Sequence, residues 1–487
     1  MQKKIIILCT VILIVVMEAL FALIGALMPG PFTGTVTDAE TNEPIANVSV
    51  SDGRNVVKTD ENGAYTLPGY SKSRFVTVTT PAGYWTENYY IPVTKDRETY
   101  DFRLDKSEKT AQADHSFLQI SDSEIGAKGV GAWIEHVRDT VKETDPAFLI
   151  HTGDICYEDG LKQHIKDMNT ENMGVPVRYV IGNHDYVAGK YGEALFESIY
   201  GPVWYSFDVG NVHYVVTPFQ TGADYASGYN KNDRWKWLEN DLANVEPGMK
   251  VVMFNHTKAP SDDYVLSYGL KKLDLKEHDL IAWVYGHYHY NYITETDGVL
   301  NISTGRPDCG GIDSSASGSR LISITANGQV STQMYYYDFE QPQAPDGANW
   351  SAQLEGNLLF ADPLAVGNQI FAATVDDDYP RTCGVYSLNA ADGSVNWFFK
   401  TLNSVKNKLV YANGKIVAQD CEGTVYCLNA ETGALLWQKK VDLGGSLGTS
   451  SGLCADGSTV YAGCAASITA LDLETGDTRW NLSLIHI

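Results

Sequence analysis

Five short segments, spread over about a third of the chain, concentrate side chains able to hold a metal ion or move a proton. They are Asp122-Ser123-Glu124, Gly153-Asp154-Ile155-Cys156-Tyr157, Gly182-Asn183-His184-Asp185, Asn255-His256 and Gly286-His287-Tyr288-His289. Carboxylate, amide oxygen and neutral imidazole all donate without thiolate, a set that suits hard or borderline divalent ions. Two such ions a few ångströms apart need a carboxylate in common, and Asp154 is the natural bridge. A lone Gly-Asn-His or Gly-His-x-His is more often a turn with a satisfied histidine. Here four of the 11 histidines, His184, His256, His287 and His289, recur in one ordered set, which argues against chance. The others default to surface or core, with His151, just before Gly153-Asp154, a candidate for supporting the ligands from behind.

Each segment follows an apolar, β-branched run, at Phe117 to Ile120, Ala147 to Ile150, Tyr179 to Ile181, Val251 to Phe254 and Ile281 to Tyr285. These read as strands, and the spacing of Trp133, Ile134, Val137 and Val141 reads as one face of a helix between two of them. Polar side chains at the carboxyl ends of several strands are where an α/β sheet places its chemistry. One site assembled from five strand ends is therefore expected. Further on, alternating residues on either side of Gly210-Asn211 predict a hairpin, and Asn232 to Val245 predicts a helix with Trp235, Leu238 and Leu242 on one face. A late meander, Gly298 to Ser303 and Ser319 to Ile324, is expected to close the second sheet.

The order of these segments resembles the calcineurin-like metallophosphoesterases, which carry Asp-x-His, Gly-Asp-x-x-Asp, Gly-Asn-His-Asp/Glu, a lone His and Gly-His-x-His. The likeness covers roughly Ser116 to Asp338. It implies two facing mixed sheets with helices outside, an α/β/β/α sandwich. It also implies that Asp122 and His289 hold a first metal, that Asp154 bridges, and that Asn183, His256 and His287 complete a second. His184 would then sit beside the substrate phosphate with Asn183 and assist the leaving group, with Asp185 orienting its ring. In-line attack on phosphorus by a hydroxide bridging the metals is the reaction the likeness implies.

Two positions depart from that pattern. Glu124 stands where the family has the histidine of Asp-x-His, a harder ligand that would favour manganese, magnesium or iron over zinc. Tyr157 stands where the family often has a second aspartate, giving Gly-Asp-x-x-Tyr as in the purple acid phosphatase branch, whose tyrosine binds ferric iron. Both are carried as candidate ligands, and the two divalent ions stay open among manganese, iron and zinc. Arg306, in Gly305-Arg306-Pro307-Asp308, is a candidate phosphate contact, with a structural ion pair as the commoner role for such a residue.

Around this core the chain changes character. Met1 to Pro29 sets Lys3 and Lys4 before an apolar run from Ile5 to Met28, the pattern of a signal peptide or membrane anchor that leaves the rest outside the cytoplasm. Residues 31–105 alternate short strands and turns, including Asp60-Glu61-Asn62-Gly63, and predict a small β-sandwich similar to carboxypeptidase-regulatory-like domains. It carries no catalytic set and defaults to a spacer or binding module. The esterase domain is expected over 113–338. In residues 346–481, Trp397, Trp437 and Trp480 recur at 40 and 43 residues, a period of propeller blades, in a motif similar to the quinoprotein-type (PQQ-like) repeat. Three blades fall short of the about four to eight of a closed propeller, so a partial one is expected, with no residue set that argues for a quinone. Leu482 to Ile487 match the translation of a transposon-end sequencing adaptor, and a longer natural protein with more blades is the expectation that follows.

A chain of 487 residues has room for three domains, and a net charge of -24 argues against generic nucleic-acid binding. Eight cysteines are compatible with disulfides in an exported protein, but spacing does not reveal pairing. The expected fold is multidomain: β-sandwich, then α/β/β/α metallophosphoesterase, then partial all-β propeller. The expected function is an exported dinuclear-metal phosphoesterase acting on monoesters or diesters of a phosphorylated small molecule or surface polymer, membrane-associated through its amino-terminal segment. The rival is a cell-surface binding protein with an inactive esterase fold and a partner-binding propeller, a reading that Glu124 keeps open.

Overall fold

The computed structural model describes residues 30–125, 130–218, 225–307, 316–337, 344–358, 361–441, 452–464 and 467–483. The expected leader at 1–29 and the end of the adaptor-like stretch at 484–487 lie outside the described residues, as does Cys309. Two compact units emerge. The first holds the described residues up to His289 with Thr294–Pro307 and Gly318–Val330, and the second holds Tyr290–Ile293, residues 316–317 and the described residues from Ser331 onward. No helix among the described residues is long and apolar enough to cross a membrane.

The first unit opens with the expected sandwich: β1 (Phe32–Asp38), β2 (Ser49–Ser51), β3 (Val56–Lys58), β4 (Ala64–Leu67), β5 (Phe75–Val78), β6 (Tyr84–Trp85), β7 (Tyr90–Pro92) and β8 (Phe102–Lys106). They form two four-stranded sheets, ordered β4-β1-β8-β6 and β3-β2-β5-β7. Alternation along β1 buries Phe32, Val36 and Asp38 and turns Thr33 outward, the pattern of a strand with one covered face. The Asp60 turn is tied by its carboxylate, which accepts from the amides of Asn62 and Ala64 at 2.9 Å each.

More than a linker joins the sandwich to the next domain. Asp208 donates its amide to the Thr80 carbonyl at 2.8 Å, extending sheet pairing across the seam. Buried Arg178 donates to the Thr86 carbonyl at 3.1 Å and lies 3.7 Å over the Trp85 ring. Arg74 reaches the opposite way, lying between the rings of Tyr191 and Tyr229 and pairing with Glu193 at 3.2 Å and Glu197 at 2.5 Å.

After a short helix α1 (Glu108–Ala111), the esterase domain runs β9 (His115–Ile120), α2 (Val130–Thr144), β10 (Phe148–His151), α3 (Tyr157–Asp167), α4 (Thr170–Met173), β11 (Val177–Tyr179), α5 (Ala194–Tyr200), β12 (Tyr205–Val209), β13 (Val212–Val216) and α6 (Lys231–Leu242). It continues with β14 (Lys250–Phe254), β15 (Val265–Tyr268), β16 (Lys271–Asp274), β17 (Leu280–Tyr285), β18 (Tyr292–Thr296), β19 (Val299–Ser303) and β20 (Gly318–Ile324). One sheet has the order β11-β10-β9-β20, the other β12-β13-β14-β17-β19-β18. They face each other through aromatic rings: Phe117 and Phe148 of the first meet Tyr214, Phe254 and Phe207 of the second at 5.0–5.5 Å. Helix α2 buries the predicted face of Trp133, Ile134, Val137 and Val141. Asn230 caps α6, which starts one residue earlier and ends three earlier than its spacing suggested.

One expectation is corrected. The two late strands do not close the same sheet: β19 lies parallel to β17, whereas β20 pairs antiparallel with β9, Arg320 opposite Gln119. Alternation marks a strand but leaves its neighbour unspecified. Here the neighbour is fixed by a buried polar set, Arg320 donating to Thr304 Oγ1 at 3.1 Å and Thr304 to Gln119 at 2.7 Å.

In the second unit, three four-stranded antiparallel blades match the repeat. They span Leu364–Val366 to Val395–Lys400, Val410–Ala412 to Leu435–Lys440 and Leu453–Ala455 to Thr478–Ser483. A tryptophan locks onto the next turn in each step. Trp350, Trp397 and Trp437 lie against Gly393, Gly433 and Gly476, and their indole N–H groups donate to the carbonyls of Ala390, Ala430 and Leu473 at 3.0–3.2 Å. The turn needs glycine twice over, for its positive φ and because a Cβ would meet the indole. The five cysteines described with their side chains, Cys156, Cys383, Cys421, Cys427 and Cys454, are free thiols.

Candidate metal centre

Strands β9, β10 and β11 run parallel, as do β14 and β17, so the loops after their carboxyl ends meet. Two groups of donors converge there: Asp154, His256 and His287, and Asp122, Asp154 and His289, with ligand atoms within 4.8 Å of one another in each. Asp154 belongs to both, which is what a bridging carboxylate requires. Its Oδ2 stands 3.1 Å from His256 Nε2, and His289 Nε2 stands 3.3 Å from Asp122 Oδ1. His287 Nδ1 faces His256 Nε2 at 3.2 Å.

The loops are built to hold these positions. Of the 14 non-glycine residues with positive φ among the described residues, six are predicted ligands: Asp122, Glu124, Asp154, Tyr157, His287 and His289. Such conformations persist only where surroundings impose them, and they concentrate at functional sites. The glycine of each motif clears the space. A Cβ on Gly182 would run into the Asp154 carboxylate, one on Gly286 into Ser121 and Asp122, and one on Gly153 into the His256 ring.

Supporting contacts set the protonation of the imidazoles. His256 Nδ1 bonds the Thr152 carbonyl at 2.8 Å, which makes it the protonated nitrogen and leaves Nε2 as donor to a cation. His151 accepts from the Gly153 amide at 3.1 Å, so its other nitrogen donates to Ser123 Oγ at 2.7 Å. Burial alone would push His256 down and Asp154 up. Their mutual contact prevails, holding the imidazole above and the carboxyl below their usual values, and a cation at Nε2 would take the place of the proton there. The pocket thus calls for positive charge beside Asp154.

The predicted residues divide as follows. Asp122, Asp154, His256, His287 and His289 come together. Asn183 and His184 follow Gly182 at the same end, the His184 amide bonding Asp154 Oδ1 at 2.9 Å and its Nε2 lying 4.0 Å from Oδ2. Asn183 Oδ1 and His184 Nδ1 are buried without a hydrogen-bond partner. A buried amide oxygen without a partner, one residue before the His184 amide that bonds Asp154, fits a cation site, and the donor set as a whole fits two divalent ions.

Three assignments change. Asp185 does not orient the His184 ring: its oxygens accept from the amides of Gly182 at 2.8 Å, Asp154 at 3.0 Å and Cys156 at 2.9 Å, clamping the bridging loop. Burial first, and the Asp154 charge second, push this carboxyl up to about 7. Glu124 joins neither donor group, because Arg306 holds it at 2.9 Å. That contact also gives Arg306 the ion-pair role, with its other terminal nitrogen 3.4 Å from His289. Tyr157 lies at the mouth, 58% exposed, its ring 5.3 Å from that of His184. Ser121, which donates to Asp122, and Thr152, whose carbonyl meets His256 Nδ1, also serve the site, and their only signal in the sequence is adjacency to Asp122 and Gly153.

The profile for the N terminal of calcineurin-like phosphoesterase matches residues 30–107, that for calcineurin-like phosphoesterase residues 115–291, and that for outer membrane protein assembly factor BamB residues 318–486. Tetrathionate hydrolase of Acidithiobacillus ferrooxidans is 25% identical over 153 residues, 27% of this chain and 30% of that protein. BamB of Yersinia pestis is 24% identical over 157 residues, 32% of this chain and 37% of that protein. The chain therefore spans about a third of the length of these curated relatives. Among solved structures, GAP50, the anchor in the inner membrane complex of Plasmodium, is 15% identical with a TM-score of 0.35, covering 46% of this chain and 84% of that one. The chain carries a calcineurin-like phosphoesterase domain, preceded by that family's amino-terminal domain and followed by a PQQ-like repeat region.

Proposed function

We propose that the chain is an extracytoplasmic phosphoesterase, hydrolysing phosphate monoesters or diesters of a small molecule or surface polymer at a site for two divalent ions. The observation that carries this reading is the pair of donor groups sharing Asp154. Manganese, iron and zinc all suit the set, and when bound such ions supply Lewis acidity and activate water. The protein's own part is geometry. Asp122 and His289 would hold one ion and His256, His287 and the buried Asn183 oxygen the other, with Asp154 common to both donor groups and Asp185 clamping its loop through the Asp154 amide. His184, with a side chain 37% exposed and Nε2 turned toward Asp154, is placed to meet a phosphate at the mouth and protonate the departing oxygen. The apolar leader pattern and the BamB-like repeats support a place in the cell envelope.

The test is hydrolysis of para-nitrophenyl phosphate and its bis ester by the full chain, stripped of metal and reloaded with manganese, iron or zinc, beside His184→Ala. Metal-dependent turnover that the variant loses supports the enzyme, and the preferred ester separates monoesterase from diesterase. A chain that takes up no metal returns the question to the partner-binding reading.

A further inference from the structure

Tyr157 occupies the position that the likeness to purple acid phosphatases gives to an iron ligand, yet its surroundings are not those of a ligand. Asp122, Asp154 and His256 are at most 1% exposed and the His289 side chain 22%, whereas Tyr157 is 58% exposed, the most exposed of the described Phe, Tyr and Trp residues. The ring lies 5.3 Å from that of His184, at 49° to it. Its backbone is left-handed, with φ of 57°, in a run that includes Asp154 at 57° and Cys156 at 74°. Asp185 pins the same run through the amides of Asp154 and Cys156. A bulky residue in that conformation is a strained placement, maintained by the loop around it. The loop therefore holds an aromatic face next to the group that meets the leaving oxygen.

Resting on the phosphoesterase reading above, we propose that Tyr157 is a stacking platform for the leaving group, and that the site takes phosphate esters whose leaving alcohol carries an aromatic ring. With phosphorus at the donor groups and the leaving oxygen at His184, the body of the leaving group comes within reach of the Tyr157 ring, 5.3 Å from that of His184. Stacking of a planar ring on an exposed aromatic side chain suits this position and tolerates different ring types. A tyrosine acting as platform needs its ring and not its hydroxyl, the reverse of a tyrosine acting as ligand.

That contrast makes the test. Phenylphosphonate and cyclohexylphosphonate differ in aromaticity at nearly equal size. Their binding to the metal-loaded full chain is measured by calorimetry, together with metal content, for wild type, Tyr157→Phe and Tyr157→Leu. Wild type and Tyr157→Phe should prefer the phenyl compound about ten-fold, Tyr157→Leu should lose that preference, and all three should hold the same metal. Because the side chain is exposed, equal melting temperatures are expected and verify folding. A preference that survives in Tyr157→Leu, or is absent from wild type, overturns the platform. Loss of metal from Tyr157→Phe overturns it in favour of a ligand. Wild type that holds metal but binds neither phosphonate fails the phosphoesterase reading, and this inference with it.

Discussion

At the scale of single residues, the centre depends on side chains that are absent as much as on those present. Gly182 has an extended backbone that any residue could adopt, so φ does not explain it. Space does: its missing Cβ is where the Asp154 carboxylate lies. Gly182→Ala should therefore displace the bridging ligand without unfolding the chain, lowering metal affinity about 10- to 100-fold, as read by titration against a chelator. Unchanged affinity would mean that Asp154 can move aside without consequence. Residue types in this region were legible in the sequence, because few chemistries need Asp, Asn and His in that order. Where the oxygens point was not. Asp185 follows His184 directly, which points to a contact with its ring, yet its carboxylate turns back to three amides. Glu124 has the right chemistry and spacing for a ligand, but the arginine that claims it lies 182 residues away. Such long-range competition leaves no local trace.

Elements show the same division between pattern and partner. Alternation and apolar runs located nearly every strand, whereas the crossing of β20 to β9 and the seam between sandwich and esterase depend on polar contacts from distant segments. Arg74 is the clearest case at the seam. It neutralises Glu193, whose side chain is fully buried, and Glu193 in turn accepts from the Gly228 amide at 2.7 Å and from Ser227 at 3.1 Å. Arg74→Ala would leave buried carboxylates unpaired and should cost about 3–5 kcal/mol, with the double change Glu193→Gln and Glu197→Gln recovering part of it in thermal unfolding. A second inter-element contact sets a pH dependence. His213 on β13 bonds Asp208 on β12 at 2.7 Å and Asp241 on α6 at 2.9 Å. Burial alone would lower it, but the two carboxylates raise it to about 10. A group raised in the folded state stabilises fully below its unfolded value, about 6.5, and loses that contribution as pH rises through the folded value. The difference in melting temperature between wild type and His213→Gln should therefore be largest near pH 6 and close as the pH passes about 10. A constant difference would show that His213 acts through packing.

At the scale of the whole molecule, the net charge of -24 surrounds a site proposed to take phosphate esters. A field of that sign repels an anionic substrate at long range, whereas Asp154 and its partners act only at contact. The two ranges respond differently to salt, since the screening length falls from about 30 Å at about 0.01 M to about 10 Å at about 0.1 M. Screening should therefore relieve the distant repulsion first. For para-nitrophenyl phosphate, kcat/KM is expected to rise several-fold over about 0.01 to 0.3 M salt while kcat stays level, because the bound state is reached more often but is otherwise the same. The opposite slope would mean that cations at the mouth, Arg306 among them, govern approach despite the acidic surroundings. Arg306→Gln separates these cases: it should leave the rise intact if the whole-molecule field governs, and remove the fall if the local charge does.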